Sequence, residues 1–99
     1  DTGGTVVGDQ TSALAAKELL GQFRDYAAAL RTVLDTPLYD FRYRSGAYNG
    51  ERFTGIVTDF APAFGKDQGK SLNEITAIGY LFGAVKALER RLVACEARP

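Results

Sequence analysis

Ninety-nine residues make one domain, near the lower end of what folds without disulfides or metals. Hydrophobic residues form 45% of the chain, with six Phe and five Tyr, so a packed core is within reach and wholesale disorder is not expected. Twelve basic residues balance twelve acidic ones, which argues against a dedicated nucleic-acid binder, because neutralising phosphates supplies most of such a protein's affinity. Zero net charge also leaves no strong solubilising field, a condition better suited to a chain resident on a partner.

Residues 1–10 hold three glycines and no helical period, and they read as an extended N-terminal arm ahead of a helical domain over 11–99. Met is absent, including from position 1, where Asp1 stands. The expectation is a removed targeting leader, the alternative a fragment.

A first helix is predicted from about Ser12 to Leu34, capped by Thr11 or Ser12. Ala16, Leu20, Phe23, Ala27, Leu30 and Leu34 then follow at alternating spacings of four and three. Asp35-Thr36-Pro37 breaks the period, since Pro lacks a backbone donor and the residue before it avoids the α region. Leu38 to Asn49 is aromatic and irregular, ending in the turn pair Asn49-Gly50. A second helix is predicted from Glu51 to Ala61, with Phe53, Ile56, Val57 and Phe60 on one side, closed by Pro62 and Gly65. Lys66 to Lys70 reads as a polar loop.

The last helix opens on Ser71-Leu72-Asn73-Glu74, a capping-box pattern in which Ser and Glu satisfy each other's free amides. Ile75, Ile78, Phe82, Val85, Leu88, Leu92 and Cys95 continue an apolar stripe to its end. Gly79 and Gly83 open one flank for close approach by a neighbour, at up to about 1 kcal/mol each against Ala. The expected architecture is all-α, a three- or four-helix bundle burying Phe23, Leu30, Ile78, Phe82 and Val85 between the first and last helices.

Chemistry-bearing constellations are missing. Without His, Trp or paired Cys there is no Ser-His triad, thiol-His pair or imidazole metal site, and no P-loop or dinucleotide fingerprint exists. The reading is therefore a non-enzyme with no cofactor and no metal. No apolar stretch approaches the roughly twenty residues of a membrane span. Cys95 reads as a small apolar residue on the last helical turns, with an intermolecular disulfide as the alternative.

The one concentrated feature runs from Leu38 to Arg52. Tyr39, Arg42, Tyr43, Arg44, Tyr48 and Arg52 are of the two residue types that dominate binding hot spots, and they are the candidate partner-binding residues. If the segment is extended, Arg42 and Arg44 share one side while Tyr39, Phe41 and Tyr43 share the other. The alternatives are a crossover loop whose aromatics plug the bundle and a platform for nucleic acid or another polyanion.

Leu30-Arg31-Thr32-Val33-Leu34-Asp35-Thr36-Pro37 resembles the end of the first helix in the small lumenal assembly-and-repair factors of photosystem II. The Ile56-Val57-Thr58-Asp59-Phe60 segment and the Ser71-capped helix follow at similar distances, and Lys70-Ser71-Leu72 is similar to a helix start in PsbQ-like extrinsic subunits. The resemblance implies a leader-processed protein of the chloroplast thylakoid lumen. It would dock on photosystem II core subunits and stabilise the oxygen-evolving side, peripheral to the membrane complex. The alternatives are a supernumerary helical subunit of another organellar complex and a small RNA- or polyanion-binding module.

Overall fold

The computed structural model describes residues 13–98; the expected arm over 1–10 and the caps Thr11 and Ser12 lie outside the described residues. A 3-10 turn at Leu14–Ala16 precedes helix α1, Tyr26–Asp35. Strands β1, Tyr39–Arg42, and β2, Arg52–Gly55, follow, then 3-10 turns at Thr58–Phe60 and Pro62–Phe64. Strands β3, Gly65–Lys66, and β4, Ser71–Leu72, lead into helix α2, Glu74–Glu96. The all-α expectation is thus corrected. Among the described residues two helices and two separate two-stranded antiparallel sheets make a mixed α and β fold, not a three- or four-helix bundle.

The first helix is less than half as long as its periodicity suggested. Gly21 lies at φ +145°, outside helical backbone, and Leu19 and Leu20 meet no surface that would reward helix formation. A short helix without tertiary packing is marginal in water. The helix begins where Asp25 accepts a hydrogen bond from the Ala28 amide at 3.1 Å. It ends as Thr32 and Thr36 hydroxyls donate to the carbonyls of Ala28 and Thr36's own i−4 neighbour, Thr32, ahead of Pro37.

The expected helix over Glu51 to Ala61 is instead a strand and two tight turns. β1 and β2 pair in the register Asp40 with Thr54, Phe41 with Phe53, and Arg42 with Arg52. Phe53, Thr54, Ile56, Val57 and Thr58 are aromatic or β-branched, and once a partner strand is present they prefer a pleated surface. The partner is the segment read as irregular. Gly46 and Gly50 carry positive φ in the connecting loop, where the Gly50 amide donates to the Tyr43 carbonyl at 2.9 Å.

The start of α2 also moves. Ser71 belongs to β4, and Asn73 is the cap, its side-chain oxygen accepting from the Thr76 amide at 3.1 Å. The Asn73 amide donates to the Phe64 carbonyl at 2.7 Å and ties the helix start to the turn region. Of the segments that carry the likeness to lumenal photosystem II proteins, only Leu30–Pro37 keeps its helix-end form. Ile56–Phe60 is not α-helix, and Ser71 does not cap one.

Two small clusters form the core. Leu30 packs with Ala84 and Ala87 between the helices, joined by Tyr26 and Val33. Phe64 packs with Ala61 and Ala77, joined by Ile56, Leu72 and Tyr80. The helices meet on their smallest residues: a Cβ at Gly83 would lie 3.0 Å from Ala29 Cβ and 3.4 Å from the Phe23 ring. Arg90 of α2 stands 4.7 Å over the Tyr26 ring of α1.

The buried residues differ from those expected. Leu30 is buried at 1% exposure, but Phe23, Ile78, Phe82 and Val85 are all about half exposed or more. The physical reason lies in α2, which presents Gly83, Ala84 and Ala87 to α1 and Ala77 to Ala61 and Phe64, and so turns its large apolar residues outward.

Candidate association surface

A helix with two apolar faces needs two partners, and α2 has found one. Its small-residue face packs on α1. Its other face carries Ile78, Leu81, Val85, Leu88, Leu92 and Cys95, spaced 3, 4, 3, 4 and 3, all exposed. From Ile78 to Cys95 positions a and d are all apolar, the pattern that a coiled-coil seam requires, while Glu74, at the first d position of α2, is charged. Ile75 and Phe82 widen it at the e positions, and Phe82 is 66% exposed. Glu89 and Glu96 occupy later e positions, and Arg91 a g position. No charge interrupts the row between Ile78 and Cys95.

Against this face the chain offers little interior. Among the described residues the only large side chains fully buried are Phe64 and Leu30, and most other core members are alanines. Single exposed apolar residues are ordinary on a protein surface, but a contiguous row along one helix marks an interaction site.

The β1–β2 hairpin divides the six candidate partner-binding residues rather than gathering them. Tyr43 and Tyr48 join Phe41 and Phe53 in an aromatic cluster, with centroid separations of 5.5 to 6.2 Å. Tyr39 stands apart, its ring 5.3 Å from Phe60. On the opposite face Arg42 lies directly across from Arg52, while Arg52 forms an exposed ion pair with Asp40 at 3.2 Å. Thr54 also donates to Asp40. Arg44 is exposed in the bend beyond β1. The alternation expected of an extended segment, aromatics on one side and arginines on the other, is the arrangement seen across Phe41, Arg42 and Tyr43.

Beside the aromatic face, an open cleft brings Tyr43, Tyr48 and Phe53 near Lys66, Asp67 and Lys70 of the second hairpin. Its acids and bases are solvated, with no nucleophile held against a general base. Among the described residues no group of three or more His, Cys, Asp or Glu is placed to hold a metal ion, and no helix is long and apolar enough to cross a membrane.

Sequence reasoning found this row except for Leu81, with Ile75 and Phe82 counted in it, but assigned it to the bundle interior. The signal for a second face was present in Ala77, Gly83, Ala84 and Ala87, a small-residue row about 100° around the same helix, with Ala77 and Ala84 bordering the seam at g positions. No protein-family model matches the chain, and no curated protein matches it.

Proposed function

We propose that this chain is an assembly module that joins copies of itself through α2, in a parallel seam of two or three helices. The single observation that carries the reading is the uninterrupted, exposed a/d row from Ile78 to Cys95. A seam of this kind is self-complementary, since each apolar layer meets its own counterpart. Charge supports the parallel orientation. In it, a g residue neighbours the partner's e residue five positions later, which sets Arg91 beside Glu96 of the next copy. An antiparallel seam with its layers aligned would set Glu89 against Phe82 and Glu96 against Ile75, apolar against charged. Zero net charge removes bulk repulsion between copies.

Burying a half-exposed Val, Leu, Ile or Phe recovers a good part of the roughly 1.5–3 kcal/mol that full burial contributes. The five such residues of the row in each copy, with Phe82 beside them, work against the entropy lost on association.

A second reading, docking on a different protein, is favoured by the hairpin, where Arg42 and Arg44 are exposed and Tyr43 and Tyr48 present half-exposed rings. The photosystem II lumenal surface implied by the resemblance would be one such partner, although of the segments that carry that resemblance only Leu30–Pro37 keeps its expected helix-end form.

One experiment separates the two. Val85→Glu and, separately, Arg42→Ala with Arg44→Ala are compared with the unaltered chain by sedimentation equilibrium. The assembly reading expects Val85→Glu to be monomeric and the double arginine variant to keep the parent mass. A Val85→Glu chain with the parent mass contradicts it.

A further inference from the structure

Beside the α2 row lies an apolar cavity of about 230 Å³, lined by Val33, Leu38, Ile56, Phe64, Ala77 and Leu81. Its one polar neighbour, Thr36, has already spent its hydroxyl on the Thr32 carbonyl at 2.6 Å. Nothing in the wall asks for water or for a charged ligand. An apolar cavity of about 150 Å³ is enough to take a benzene ring, so this one accommodates a phenyl group.

The cavity is continuous with the association face. Leu81 belongs to both, lying in the a/d row and in the cavity wall. Ala77, one turn earlier, forms the floor at a g position, and its small side chain leaves the volume open. The residue that a parallel seam places beside this g position is the partner's e residue five places later. Five places after 77 is Phe82, the most exposed of the large apolar side chains on α2.

We propose that Phe82 of one copy enters this cavity in the next copy. The contact rests on the parallel self-association proposed above and gives it register. Each copy donates one ring and receives one, so the contact closes on itself around the seam. Phe64 in the wall supplies an aromatic neighbour for the incoming ring. A seam slipped by one heptad would carry Phe82 past Ala77, so the ring in its cavity fixes the alignment that a/d layers alone tolerate.

The chain contains no Trp, so Phe82→Trp introduces a single indole whose emission reports its surroundings. Its assembled mass is measured in parallel. The expected result is an assembled species with blue-shifted emission that iodide does not quench. Leu38→Lys is then added, because Leu38 lines the cavity but lies before β1 rather than on α2. Emission shifted back to the red, or weakened assembly, supports the contact. An assembled species in which iodide quenches the indole freely overturns it, as does an indole that stays shielded with Leu38→Lys in place. Either result leaves the seam standing. A parent chain that is monomeric at every concentration overturns the seam and the ring contact together.

Discussion

Replacing Gly83 with Leu sets two effects of opposite sign against each other on α2. Leu is the better helix former by about 1 kcal/mol. The structure places the new Cβ 3.0 Å from Ala29 Cβ, inside the separation of about 3.5–4.0 Å at which carbon atoms attract. The rest of the side chain would press on Phe23 and Tyr26, whose rings already lie 3.4 and 3.6 Å from that Cβ. Overpacking of this kind costs about 1–3 kcal/mol. The net expectation is a loss of about 1–2 kcal/mol, with α1 and α2 forced apart. Gly79 is the internal control, because a Cβ there meets nothing within 4 Å. Gly79→Ala should therefore gain about 0.5–1 kcal/mol from backbone entropy alone. Urea denaturation at one fixed protomer concentration reads both, since stability varies with concentration where subunits associate. A Gly83→Leu chain as stable as the parent, or a Gly79→Ala chain less stable than it, would refute the close helix contact.

Further outcomes follow from single contacts. Asn73→Ala should cost about 1 kcal/mol by freeing the Thr76 amide, and Ser71→Ala should cost clearly less; equal losses would return the cap to Ser71. Leu30→Ala should cost about 2–5 kcal/mol, because Leu30 is one of two large side chains sealed in the core, and a loss under 1 kcal/mol would show that the helices do not pack there. Arg42→Ala with Arg44→Ala should leave the melting temperature nearly unchanged. Exposed charges contribute little, and Arg42 faces a like charge at Arg52. A large drop would show that these guanidiniums serve the fold.

Periodicity made α2 legible almost to its ends, because a long helix keeps its pattern whatever covers it. What periodicity leaves open is the partner. Ile78, Phe82 and Val85 recur at core spacing, yet a core residue and an interface residue have the same spacing. Only the second, small-residue row at Gly83, Ala84 and Ala87 shows which face meets α1. The hairpin was lost for a different reason. Phe53, Ile56, Val57 and Phe60 satisfy a helical stripe, but Arg52 to Gly55 also alternates, and the choice depends on Tyr39–Arg42 lying alongside. Strand pairing is a non-local contact that one window of sequence does not contain. The cap shifted by two residues because Ser71 and Asn73 are both good caps, and the β3–β4 pairing claims Ser71. Among the candidate site residues, Arg42 and Tyr43 took the opposite faces that simple alternation requires. The separation of Tyr39 from Tyr43 and Tyr48 depends on Phe60, brought near only by the fold.

The self-association of α2 is tested most directly by the mass of the unaltered chain in solution, measured by sedimentation equilibrium across a range of concentrations with the thiol reduced. Diamide is then added to the same samples. The account predicts a mass of two or three times 10.7 kDa, together with a Cys95–Cys95 disulfide, because a parallel seam sets this d-position thiol beside its counterpart. A chain that stays at 10.7 kDa at every concentration and forms no disulfide contradicts it.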